Sequence, residues 1–75
     1  MRIIVKDQEE HTQHLRMEEN GKVLAKDSYP SKHAFVINAL WQFEEVATKA
    51  NITLTAEEKA QIESYVATVR QEIGE

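Results

Sequence analysis

Three histidines are the side chains with which this sequence would build a metal site. His11 and His14 are three residues apart, a spacing that places two imidazoles on one face of a helix but on opposite faces of a strand. The residues around them alternate in polarity as a strand does, so we expect no shared site there. His33 would need carboxylates that the spacing does not single out, since the chain contains no cysteine. The sequence therefore predicts neither a metal nor a cofactor.

Adjacent carboxylates and hydroxyls are the other groups that could do chemistry. Glu44 and Glu45 fit the solvated face of a helix, while Glu57 and Glu58 belong to a helix-capping sequence. None of the three serines lies in the glycine-flanked turn that exposes a catalytic nucleophile. Both glycines are needed at a turn and at a helix end, which leaves none for a phosphate-binding loop. We expect a protein that is not an enzyme and has no small-molecule substrate.

The length of 75 residues leaves room for one domain, residues 1–75. A domain of this size buries only about 60% of the surface that its unfolded chain exposes, so contact with another chain would add stability. The absence of cysteine excludes a disulfide and fits a reducing compartment. The apolar run near the start is too short for a secretory signal, and no run approaches the length of a membrane span. We expect a soluble, cytoplasmic protein.

The net charge of −4 is carried by the C-terminal half of the chain. Residues 1–34 contain six basic and six acidic side chains, whereas residues 35–75 contain three basic and seven acidic ones. Nucleic acids and anionic membranes bind clusters of lysine and arginine, so this distribution argues against both. It favours a protein partner with a basic surface. Acidity that serves only to keep the protein in solution would produce the same pattern.

Alternating polar and apolar residues predict three β-strands, over about residues 2–6, 11–18 and 22–28. Asn20-Gly21 marks a hairpin between the second and third strands. We predict an antiparallel meander with one apolar face. That inner face carries Ile3, Val5, Leu15, Met17, Val23 and Ala25.

Two registers compete at this hairpin. A two-residue turn sets Met17 opposite Leu24, whereas a three-residue loop at residues 19–21 sets Met17 opposite Val23. The three-residue loop collects more apolar side chains on one face, and we prefer it. A loop of the same length at residues 8–10 sets the register of the first strand, which pairs Ile3 with Leu15 and Val5 with Gln13.

Two helices are predicted after the strands, over about residues 32–50 and 56–73. Pro30 closes the third strand region, and Ser31 is placed to cap the first helix. Thr55 and Glu58 have the spacing of a capping box at the start of the second helix. Because the connection is short, we expect an antiparallel helix pair that covers one face of the three-stranded antiparallel sheet. The predicted fold is α+β, in the order βββαα.

The first helix has more apolar surface than its own fold needs. A stripe through Val36, Leu40 and Phe43 is sufficient to cover the sheet and the second helix, and Ile37 and Trp41 lie outside it. An exposed tryptophan is typical of binding hot spots. Alternatively, the first strand or the helix connection covers Trp41. We call this surface the Trp41 patch, which comprises Ala34, Ile37 and Trp41, bounded by Glu44, Glu45 and Thr48.

The open side of the sheet is a second candidate surface. Single exposed aliphatic residues are common, so this surface is the weaker candidate. Basic side chains on it would also make a weak nucleic-acid site, although no aromatic residue is there to stack on bases. The second surface comprises Ile4, His14, Arg16 and Leu24, with Lys6 and Lys26 as further basic residues.

These features together predict a small, non-catalytic protein–protein interaction module. It would be regulatory or inhibitory, acting by occupying a surface of a larger partner. One alternative is a homodimeric structural protein in which dimerisation completes an undersized core. Another is a weak nucleic-acid-binding module that uses the open face of the sheet.

Overall fold

The order of elements in the computed structural model is the predicted one, and the structure describes residues 1–74. The strands are β1 (Arg2–Glu9), β2 (Thr12–Glu19) and β3 (Lys22–Tyr29), and the helices are α1 (Lys32–Lys49) and α2 (Ala56–Glu72). The strands form one antiparallel sheet in the order β1-β2-β3. Both helices pack against this sheet, α1 mainly on β3 and α2 on β1. The α+β fold of order βββαα is therefore confirmed.

The face of strand β1 that packs against the helices is the one that was predicted to be exposed. A two-residue turn at residues 10–11 joins β1 to β2 and places Ile4 opposite Met17. The register differs from the predicted one by an odd number of residues, so every side chain of the strand changes face. Ile4 is buried, whereas Ile3 is 47% exposed and Val5 lies beside it on the open side. The prediction that Ile3 and Val5 face the core is wrong.

The turn between β2 and β3 contains two residues and not the predicted three. Asn20 and Gly21 have φ angles of 54° and 78°, and positive φ at both positions is what a type I′ hairpin turn requires. Glu19 and Lys22 pair on either side of it. The local preference of Asn-Gly for this turn therefore outweighs the better apolar alignment of the longer loop.

A β-bulge beside the turn restores that apolar alignment. Glu18 pairs with Val23 but Met17 pairs with Ala25, so Leu24 is an extra residue in β3. Met17 and Ala25 are buried as predicted. Val23, predicted to be in the core, is 51% exposed, and Leu24, predicted to face outward, packs against the core.

Side-chain caps start both helices. The Ser31 hydroxyl accepts a hydrogen bond from the Ala34 N–H (3.1 Å). At α2, the Thr55 hydroxyl accepts from the Glu58 N–H (3.1 Å) and the Glu58 carboxylate accepts from the Thr55 N–H (2.9 Å), which is the predicted capping box. The same carboxylate lies 2.9 Å from a guanidinium nitrogen of Arg2. This contact ties the start of α2 to the start of β1.

The core lies between the sheet and the helix pair. Helix α2 contributes Ile62, Val66 and Val69, and α1 contributes Phe35, Ala39, Phe43 and Ala47. Two members of the predicted α1 stripe, Val36 and Leu40, are only half-buried because they lie at the edge of the core. No helix within residues 1–74 is long and apolar enough to cross a membrane.

Candidate functional site

Two large apolar side chains of α1 are exposed to solvent. Ile37 is 71% exposed and Trp41 is 55% exposed, one helical turn apart on the side of α1 that faces away from the sheet. The indole N–H of Trp41 donates a hydrogen bond to the Asn38 side-chain oxygen (3.2 Å). Neither β1 nor the helix connection hides the indole, so its flat surface is accessible and its orientation is set by its own helix.

A groove of about 490 Å³ runs between α1 and α2 beside these two side chains. Its apolar lining comes from both helices, and a carboxylate and a guanidinium of α2 stand in its wall. Half-buried side chains of α1 form part of the lining, which makes the groove continuous with the core. We call this feature the inter-helix groove, and it is lined by Val36, Ile37, Leu40, Trp41, Glu63, Val66 and Arg70.

Ion pairs join the two helices on either side of the groove. The Lys59 ammonium lies 2.9 Å from a carboxylate oxygen of Glu44, and the Lys32 ammonium lies 3.2 Å from one of Glu72. Surface pairs of this kind contribute at most about 1 kcal/mol each, but they fix how far one helix is displaced along the other. The groove is therefore present in the folded chain before any partner binds.

The predicted Trp41 patch divides into an exposed part and a part that the fold uses. Ala34 is half-buried and packs against the core. Glu44 and Glu45 form ion pairs with lysines of α2 and α1, and the Thr48 hydroxyl donates to a backbone carbonyl of its own helix. What remains for contact with another molecule is the isoleucine and tryptophan pair at the groove.

Sequence reasoning missed the α2 side of the groove. Val66 is buried in the core, although its outer edge also lines the groove. Glu63 and Arg70 are separated by seven residues and therefore lie on one face of α2. That spacing was the available signal, but it does not by itself say that this face borders Trp41.

The second predicted surface is not assembled as predicted. Ile4 is buried beneath the helices and Leu24 packs against the core, because of the β1 register and the bulge. The exposed large apolar side chains of the open face are Ile3 and Val23, and Val5 lies half-buried beside Ile3. Ile3 and Val23 stand at opposite edges of the sheet, since β1 and β3 both border β2, and so do not form one apolar patch.

Polar side chains connect across the open face of the sheet. Asp7, His14 and Ser28 lie side by side on the three strands, and His14 Nδ1 is 2.7 Å from the Ser28 hydroxyl. These are the residue types of a catalytic triad, in which the acid holds the histidine. Here the Asp7 carboxylate is ion-paired with Arg16, which also pairs with Glu18. The row is therefore a surface polar network without the acid–histidine contact of a triad.

Of the basic side chains considered for nucleic-acid binding, Lys6 lies on the opposite face of the sheet from His14, Arg16 and Lys26. The Lys6 ammonium lies 5.8 Å from the ring centroid of Phe35, on the helix side of the sheet. Arg16 faces the other side, where two carboxylates neutralise it. For metals, no group of three or more potential ligands among His, Cys, Asp and Glu is arranged to hold an ion within residues 1–74.

The chain is by architecture a two-layer α+β protein with a three-stranded antiparallel sheet, a helix pair and an apolar groove between the helices. No protein-family model matches its sequence, and searches of curated proteins and of solved structures found no match.

Proposed function

We propose that this chain is a small, non-catalytic protein–protein interaction module whose binding surface is the inter-helix groove. The observation that carries the proposal is the exposure of Ile37 and Trp41 beside an apolar groove. Contiguous exposed apolar surface of this kind marks sites of association. A tryptophan provides a large rigid area for such contact and keeps one polar group for the rim.

The shape of the groove suits an α-helix as its occupant. Two helices side by side present ridges and a central furrow into which the side chains of a third helix fit. Glu63 and Arg70 stand in the wall, and residues 35–75 carry the net charge of −4. The excess of negative charge on the helices favours basic residues beside the apolar face of the bound helix.

The biological role we propose is regulatory or inhibitory and is exerted by occupying a surface of a larger partner in the cytoplasm. The chain's small size supports a role by occupancy. The cysteine-free composition supports a reducing compartment.

Capture of partners from the native cell extract tests this proposal. The baits are the wild-type protein, the Trp41→Ala variant and the Val23→Ala variant, which truncates an exposed apolar residue of the sheet and serves as the matched control. We expect one partner to be retained by wild type and control and lost by Trp41→Ala. With the purified partner, Trp41→Ala should weaken binding by roughly thirtyfold or more, the size of a hot-spot effect. Equal recovery by all three baits would remove the groove as the binding surface.

A further inference from the structure

We infer that a second copy of this chain covers the inter-helix groove, with each helix lying antiparallel to its own counterpart across a two-fold axis; the inference rests on the proposed function of the groove. The charges in its α2 wall point to this occupant. Glu63 and Arg70 are exposed and have opposite charge, and they lie about 10 Å apart along one face of α2. Ion pairs within residues 1–74 join other side chains of the helices and leave these two unpaired.

A two-fold axis perpendicular to α2 exchanges the ends of this helix between the copies. Such an axis, placed midway between Glu63 and Arg70, brings Glu63 of each copy to Arg70 of the other. The surface is then complementary to itself in charge, as an isologous interface requires.

The apolar wall of α1 obeys the same symmetry. Ile37 and Trp41 lie one turn apart, so an axis midway between them stacks Ile37 of one copy on Trp41 of the other. The ion pairs Lys59–Glu44 and Lys32–Glu72 fix the relative level of the helices. With the helices at that level, the midpoint between Ile37 and Trp41 lies within about 3 Å, along the helix direction, of the midpoint between Glu63 and Arg70. One axis therefore serves both walls.

The other two-fold arrangement is disfavoured by the same side chains. An axis parallel to the helices would place α1 of one copy over α2 of the other at an unchanged level. Trp41 would then lie against Glu63 of the second copy, which buries a carboxylate against an indole without a counter-charge. The perpendicular axis pairs apolar with apolar and acid with base.

Self-association of this kind regulates the module. The dimer closes the groove, so a larger partner that binds there competes with the second copy. The concentration of the chain then sets how much groove is free.

Charge exchange tests the arrangement on the purified full chain. Light scattering and sedimentation equilibrium over the micromolar range should report a wild-type dimer, which Trp41→Ala converts to a monomer. Glu63→Arg and Arg70→Glu each set like charges opposite one another at two places. Each should therefore weaken the dimer by about tenfold. An equimolar mixture of these two variants recreates both attractive pairs and should regain the wild-type dissociation constant.

Circular dichroism first confirms that each variant is folded. The matched control is Lys26→Glu, a charge reversal on the sheet, which should dimerise like wild type.

A wild-type protein that is monomeric at every concentration overturns the inference, as does a dimer that Trp41→Ala does not weaken. A dimer that is weakened by both charge variants but not regained by mixing them overturns the antiparallel arrangement. If the chain is monomeric yet captures a partner in a Trp41-dependent way, the second copy is excluded while the proposed function stands. If it neither dimerises nor captures, both fail.

Discussion

The Tyr65 hydroxyl donates a hydrogen bond of 2.8 Å to the backbone carbonyl of Ile4, across a sequence separation of 61 residues. Ile4 lies in β1, an edge strand of the sheet, and Tyr65 lies in the middle of α2. An edge strand has backbone groups that no neighbouring strand pairs. The bond satisfies one of them and fixes the second helix over the first strand.

Removal of this hydroxyl should destabilise the fold. In Tyr65→Phe the Ile4 carbonyl loses its partner in a half-buried position, and we expect the free energy of unfolding to fall by about 1 kcal/mol. Urea unfolding followed by circular dichroism measures the change. Thr68→Val is the control, because it removes an exposed side-chain bond within α2 and should cost less than about 0.5 kcal/mol. Equal stability of Tyr65→Phe and wild type would show that the bond is immaterial to the fold.

Removing a glycine from one hairpin turn and adding one to the other should have opposite effects on stability. Gly21 has φ of 78°, and a Cβ there would meet no atom within 4 Å, so Gly21→Ala should cost about 1 kcal/mol through backbone strain alone. Glu10 has φ of 55° although it carries a side chain. Glu10→Gly should therefore stabilise the protein by about 0.5–1 kcal/mol.

Glu10→Ala separates backbone strain from the loss of the glutamate side chain. It removes the carboxylate but keeps the Cβ, so its unfolding midpoint should stay near that of wild type. If alanine stabilises the protein as much as glycine does, the gain comes from the lost charge and not from the backbone.

Tyr29 makes the stability of the fold depend on pH in the alkaline range. Burial, reinforced by the nearby Asp27 carboxylate, raises the pKa of its phenol well above the ordinary value of 10.0. In the unfolded chain the phenol regains that ordinary value, so above about pH 10 the unfolded state holds fewer protons than the native state. The stability that the protonated Tyr29 phenol contributes is therefore fully present below about pH 10, and it is lost as the pH rises above that value.

Urea unfolding from neutral pH to about pH 11 should show this fall, and Tyr29→Phe should reduce its steepness. At neutral pH the substitution should change stability by less than about 1 kcal/mol, since the hydrogen bond from the hydroxyl to the Ala39 carbonyl is long, 3.4 Å. Identical pH dependence in the two proteins would assign the alkaline loss of stability to other groups.

Trp41 and Phe43 should respond very differently to truncation. Phe43 is fully buried, so Phe43→Ala should cost about 3–5 kcal/mol and unfold much of the population of so small a domain. Trp41 is more than half exposed, and Trp41→Ala should change the stability of the dilute protein by less than about 1 kcal/mol. Thermal unfolding at low protein concentration compares them. A cost for Trp41→Ala close to that of Phe43→Ala would place the indole in the core and outside any binding surface.

Local signals in the sequence were sufficient for the elements and their order. Pro30 and Ser31 mark the end of β3 and the start of α1, and Thr55 and Glu58 cap α2 through contacts only three residues apart. Each signal acts within a few residues, so no knowledge of the rest of the chain is needed to interpret it. The excess apolar surface of α1 was predictable for the same reason, because helical periodicity fixes which side chains share a face.

The faces of β1 and β3 depended on interactions that local patterns do not encode. Ile3, Ile4 and Val5 are all apolar, so either face of β1 could be buried, and the turn at residues 10–11 has no Asn-Gly signal to settle its length. The bulge at Leu24 reconciles a two-residue turn with burial of Met17. Such a compromise arises only when the whole sheet packs on the helices.

The sequence by itself determined which segments become strands and helices and which helix carries surplus apolar side chains. Only the tertiary structure decided that these side chains border a groove, because the α2 wall with Glu63 and Arg70 is set by how two helices pack. That packing depends on core contacts and ion pairs between residues far apart in the chain, such as Lys32 and Glu72. Periodicity describes one element at a time, whereas a binding surface built from two elements is a property of their relative position.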